Sequence, residues 1–169
     1  MKKTAAVLMF VWYAAAAGAQ DFSIQWLDSM AGYLGKSVLD IPDTYNQAEE
    51  DQSVYNKSSA GTVTETFSLD SRAYIQGAAW IKTSPKPKIE YKRIMAVLET
   101  ALGEPMFLDR DRWLALWNWR AAYPLTLYIM DDESILVGVL TLEALNMTRE
   151  EWEQIIQLCQ IMMRPLRGF

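Results

Sequence analysis

The sequence predicts an α+β domain, an antiparallel sheet with helices packed mainly on one face. Three observations carry this. Residues 112–142 (RWLALWNWRAAYPLTLYIMDDESILVGVLTL) read as three consecutive strands, apolar at nearly every position, with an acidic turn before the last. Thr62 to Leu69 alternates β-branched and aromatic residues with polar ones, and a second strand-like run follows a short turn. Three segments near residues 26, 95 and 155 repeat apolar residues at three- and four-residue spacing, as amphipathic helices do.

Residues 1–19 read as a secretory signal peptide. Lys2 and Lys3 form a basic start, Ala5 to Ala17 an apolar run, and Ala17-Gly18-Ala19 a small-x-small cleavage site before Gln20. The run is shorter than the roughly 20 residues needed to span a bilayer. The expected product is a single exported α+β domain over 20–169, periplasmic or secreted, with no membrane span after cleavage.

Asp21 to Gly35 has helical spacing through Trp26, Leu27, Met30, Ala31 and Leu34, and Gly35 suits the position beyond a helix end. Lys36 to Gly61 is polar and aperiodic. It reads as a loop with at most one short strand near Val54, and a loop of that length is a candidate second contact surface. Thr62–Leu69 and Ala73–Thr83 form a hairpin about Asp70-Ser71, with Val63, Glu65, Phe67 and Leu69 on one side. Gly77 marks a bulge or a close backbone approach. Ser84 to Lys88 is a Pro-stiffened linker. A helix follows, with Tyr91, Ile94, Val97, Leu98, Ala101 and Leu102 on one face and Gly103 and Pro105 as its stop.

In the 112–142 stretch, Pro124 is expected to separate the first strand from the second, and Asp131 to Ser134 to turn the second into the third. Thr148 and Glu151 make a capping box for the last helix, whose apolar side is Trp152, Ile155, Ile156, Cys159, Met162 and Met163 before Pro165. Leu166 to Phe169 is too short to assign. Each half of the domain, 20–84 and 88–169, runs helix, Leu-Gly, irregular stretch, strands. Two related halves and one continuous sheet are therefore alternative readings of the same order.

Composition narrows the chemistry. The formal charge of −5 becomes −7 once Lys2 and Lys3 are removed, which gives no electrostatic attraction for nucleic acid. Cys159 is the only cysteine, so no internal disulfide forms. Without any histidine, Ser-His-Asp and Cys-His sites and histidine-ligated zinc are impossible. No glycine-rich phosphate loop, catalytic motif or cofactor motif is present, and neither Glu49-Glu50-Asp51 nor Asp131-Asp132-Glu133 has the spacing of an EF-hand calcium loop. The expectation is no enzyme, no cofactor and no metal.

The tryptophan strand offers a surface instead. Trp113, Ala115, Trp117 and Trp119 share one side of a strand and Leu114 and Leu116 the other. A sheet apolar on both faces is either covered by helices twice or left with an exposed patch. The leading functional expectation is a non-catalytic binding protein for an envelope or extracellular protein. Trp113, Trp117 and Trp119 are its candidate contacts, and Glu49, Glu50 and Asp51 in the long loop a second set. A glycan- or small-ligand-binding domain on the same aromatic platform is one alternative. A carboxylate-dependent hydrolase using Asp109, Asp111 or the Glu49–Asp51 triplet is another. Self-association through the tryptophan face would bury it without a foreign partner.

Overall fold

A computed structural model describes residues 21–59, 62–120, 123–130 and 133–163. The expected signal segment, Ala60–Gly61 at the end of the polar stretch, the Asp131–Asp132 part of the turn, Pro165 and the tail fall outside them.

The fold is α+β: the described residues form one eight-stranded antiparallel sheet and three α-helices. Helix α1 spans Ile24–Ala31, capped by the Ser23 hydroxyl, which accepts from the Trp26 amide at 3.3 Å. It stops short of the predicted Gly35; turns continue to that residue, which takes φ +78°. Strand β1 is Asn46–Gln47 and β2 is Val54–Ser59. The stretch expected as mostly loop therefore contains a hairpin that forms one flank of the sheet. It escaped the periodicity argument because β2 (VYNKSS) lies near a solvated flank and has no alternating apolar residues.

β3 (Val63–Leu69) and β4 (Ile75–Thr83) make the predicted hairpin. The register slips between Ser68 and Leu69, beside Gly77. A Cβ on Gly77 would sit 2.6 Å from Leu140 Cδ2 and 2.7 Å from Ser68 Oγ, so the bulge is present and the close approach is made by side chains, the nearest backbone atom, the Val139 carbonyl oxygen, lying 3.5 Å away. Helix α2 is Pro87–Leu102, with proline at its start and Gly103 at φ +83° after its end. Tyr91, Ile94 and Leu98 are buried, while Ala101, expected inward, is exposed and Met95 takes a half-buried place.

β5 (Phe107–Asp109) was not foreseen, being three residues long. β6 (Leu114–Trp119), β7 (Tyr123–Ile129) and β8 (Ser134–Leu140) are the three predicted strands. Pro124 does not separate strands but pairs with Asn118 inside β7. At the second residue of the strand its missing N–H is tolerated. The break lies earlier, where Arg120 adopts φ +50°. A 3₁₀ turn at Glu143–Leu145 leads to α3, Arg149–Met163. The capping box is present: the Thr148 amide donates to Glu151 Oε2 at 2.8 Å and the Glu151 amide to Thr148 Oγ1 at 3.2 Å.

The strand order is β1-β2-β3-β4-β8-β7-β6-β5. Each half of the chain supplies a helix followed by a four-strand meander, and the meanders join where β4 meets β8. Helices α1 and α2 lie together on one face, against a core of Leu27, Met30, Phe67, Trp80, Leu98, Leu125, Leu127, Val137 and Val139. Helix α3 lies apart from them, next to β5.

Candidate binding surface

The register settles which side chains share a face. Trp80 pairs with Glu65 and Val137, Leu127 with Val137 and Ala115, and Trp117 with Leu125. All of these are buried and point to α1 and α2. Trp117 and Trp119 are therefore core residues, 3% and 6% exposed, and not the open contact surface expected of them. Trp117 Nε1 donates to the Gly103 carbonyl at 3.0 Å, tying β6 to the end of α2. Trp113 is half-buried at φ +53°, a conformation that favours glycine, and it closes the β5–β6 turn. Its ring meets Tyr91 edge-on at 5.3 Å and carries Lys88 Nζ 5.3 Å from its centroid. Glu49, Glu50 and Asp51 are exposed on the β1–β2 turn. Asp51 accepts from the Ser53 hydroxyl and amide, which hold its carboxyl below the usual range; this is a turn-forming role.

Among the described residues, no helix pair lies over the opposite face of the sheet. One row crosses it as Ser58, Thr64, Ile81, Leu136, Tyr128, Leu114 and Asp109. The next row is Asn56, Thr66, Ala79, Gly138, Thr126, Leu116 and Phe107. Both rows change character at β4. On β2 and β3 they are hydroxyls and amides, with Thr66 Oγ1 donating to Asn56 Oδ1 at 2.9 Å. On β4, β8, β7 and β6 the first row is wholly apolar, four strands wide, or about 15 Å at the usual strand spacing. Tyr128, at its centre, is 36% exposed. Gly138 leaves room for Leu136, whose Cδ2 lies 2.9 Å from where a Cβ would stand. The leucine therefore lies flat on the sheet and does not project from it.

Helix α3 covers only the β5–β6 end of this face. Trp152 is buried, and its Nε1 donates to Asn118 Oδ1 at 2.9 Å. Cys159 is also buried, which pushes its thiol pKa up and fits the packing role expected of it. The helix's apolar arc is wider than its buried seam: Leu158, Ile161 and Met162 are 58%, 62% and 61% exposed.

Elsewhere the charged groups are structural. Glu65, on the covered face, is 3% exposed; it accepts from the Tyr45 hydroxyl and lies 3.9 Å from Lys57 Nζ. Burial and that hydrogen bond push the Tyr45 phenol well above the ordinary tyrosine range. Lys82 is buried against Glu90 at 3.0 Å and Asp21 at 3.8 Å, and Asp21 also holds Arg93 at 2.7 Å. Asp109 and Asp111 lie with Glu99, Glu104 and Arg110 beside a shallow cleft between the end of α2, β5 and Met163. Asp109 accepts from the Asp111 and Arg112 amides, which shapes the turn. No group of three or more His, Cys, Asp or Glu residues among the described residues is arranged to hold a metal ion.

Sequence reasoning recognised both sides of these strands but chose the tryptophan side as the exposed one. Of the residues it missed, Ile81, Leu136 and Tyr128 lay on predicted strands, and Leu158 lay on the predicted last helix, outside the apolar side assigned to it. Only the position of the helices decides which alternation faces water. Comparison with protein-family models, curated proteins and solved structures finds no match to this chain.

Proposed function

We propose that this is a non-catalytic exported protein that binds an envelope or extracellular protein through the open face of its sheet. The observation that carries the reading is the apolar row Ile81–Leu136–Tyr128–Leu114, on the face that α1 and α2 leave uncovered. An antiparallel sheet with one solvated face ordinarily shows polar side chains there, as β2 and β3 do here. An apolar centre with a threonine and asparagine border has the layout of a protein contact, a dry middle inside a polar rim. The glycan alternative needs flat indole rings open to solvent, and Trp117 and Trp119 are enclosed. A hydrolase reading has less support, because Asp109 and Asp51 are both engaged in turn hydrogen bonds.

The test is affinity capture from a native envelope extract with the C-terminally tagged full chain, beside Tyr128→Ala and Leu136→Ser. The expected outcome is one specific protein, captured by the wild type and lost from both variants, with unchanged far-UV circular dichroism. Retention of that protein by both variants would sink this surface as the contact.

A further inference from the structure

We propose that the recess between the start of α2 and the β5–β6 turn binds a phosphate-bearing ligand. Its volume is about 620 Å³, within the range of small-molecule sites. Lys86, Lys88 and Ile89 line it from the side of α2, and Asp111, Arg112 and Trp113 from the turn. Lys88 Nζ lies 5.3 Å from the centroid of the half-buried Trp113 ring, so one cation of the recess is held against an indole. None of these residues belongs to the row Ile81, Leu136, Tyr128 and Leu114, so the recess is tested apart from partner capture.

The chain carries −5 overall, yet this lining is net +2. Among the described residues Lys86 and Lys88 pair with no carboxylate, whereas Lys57, Arg72, Lys82, Arg93, Arg120 and Arg149 each do. Arg112 reaches Asp109 only at 3.7 Å, and its side chain is 81% exposed. Folding does not account for the two lysines. No side chain caps α2, and cations at a helix start lie against the helix dipole, which favours carboxylates there. A phosphate monoester carries about −1.5 to −2 at neutral pH and so balances the lining, where a single carboxylate leaves it positive. Lysine ammoniums meet phosphate oxygens as point charges, and Arg112 adds a guanidinium fork. Asp111 opposes an anion: its amide donates to Asp109 Oδ1, but its own carboxylate is exposed at the recess. Both a soluble phosphoester and a lipid headgroup offer this chemistry, and Ile89, 61% exposed, gives the headgroup an apolar neighbour.

The experiment uses the protein purified from full-length expression. It follows the indole N–H resonance of Trp113, assigned with Trp113→Phe, as inorganic phosphate or acetate is added at constant ionic strength. Flotation with vesicles of phosphatidylglycerol and phosphatidylcholine in equal parts, against phosphatidylcholine alone, is run beside it. Expected is a saturable response to phosphate that acetate does not give. Lys86→Gln and Lys88→Gln should each weaken it by about two- to fivefold, the scale of exposed charge contacts. Lys36→Gln, the same loss of charge elsewhere, should leave it unchanged, and Asp111→Asn should strengthen it. That ranking seen with inorganic phosphate alone assigns a soluble phosphoester; the ranking seen in phosphatidylglycerol flotation assigns a lipid headgroup. Absence of both responses would overturn the proposal. So would an equal response to acetate, or a loss in Lys36→Gln as large as in Lys86→Gln and Lys88→Gln.

Discussion

Trp117 illustrates how burial changes what a substitution reports. With its ring enclosed and its Nε1 bonded to Gly103, Trp117→Ala is expected to lower the unfolding free energy by about 3–5 kcal/mol. Denaturant titration reads this as an earlier midpoint, whatever the effect on binding. Tyr91 gives the opposite case. Its hydroxyl is buried without a hydrogen-bond partner, so Tyr91→Phe is expected to be neutral or mildly stabilising at pH 7. Burial, with a smaller contribution from Glu99, pushes the folded Tyr91 phenol up to about 12. An unfolded tyrosine ionises near 10, so between those values the unfolded chain has released a proton that the folded one keeps, and stability falls as pH rises. Urea midpoints at neutral pH and in that alkaline window should show Tyr91→Phe losing less than the wild type. Glu65 is a third kind of residue, a carboxylate on the core face held by Tyr45 and Lys57. Tyr45→Phe removes a hydrogen bond to a charged group and should cost about 1.5–3 kcal/mol, seen as a lower melting temperature.

Among the described elements, α3 depends most on local chemistry, because Leu158, Ile161 and Met162 of its apolar arc are exposed. Thr148→Ala removes one half of its capping box and is expected to cost about 1 kcal/mol, with helical signal lost first at the start of α3 by hydrogen exchange. This helix start was legible because a capping box is a short-range signal: two side chains three residues apart satisfy two amides without help from the rest of the fold. The β3–β4 hairpin, the end of α2 and strands β6 to β8 were legible for similar reasons, through alternation, Gly103 and unbroken apolar runs. β2 was not, since Asn56, Lys57 and Ser58 carry no alternation, and β5 is too short to show a period. The binding face was half legible. Alternation divides Trp117 from Leu116 and Val137 from Leu136, but the side that faces solvent depends on where α1 and α2 pack, a long-range outcome. Glu65 and Lys82 worked against the correct choice by placing charges on the core side. They remain there because Tyr45 and Glu90 lie within bonding distance, partners no spacing rule identifies.

For the whole molecule, one seam joins two meanders. Within each half every strand pairs with its sequence neighbour; only β4 and β8 meet across the chain, from Gly77 opposite Leu140 to Thr83 opposite Ser134. The two glycines lie at this seam, Gly138 pairing with Ala79, and Gly77 so close to Leu140 that a methyl group would overlap it. Gly77→Ala should therefore cost about 1–3 kcal/mol through overpacking, more than the same change at an open site, as thermal unfolding would show. The seam also orders events in time. The local meanders close short loops, whereas β4 cannot find β8 until β5, β6 and β7 have been made and turned back, a closure with a larger entropy cost. Pulse-labelled hydrogen exchange during refolding should find the β3–β4 and β6–β7 amides protected before those between β4 and β8. Until the last strand arrives, the nascent chain displays the full apolar edge of β4. On the proposal that this chain is exported, and crosses the membrane unfolded, that edge would be presented on the far side, and the protein's yield should depend on holdase chaperones there until the final segment emerges.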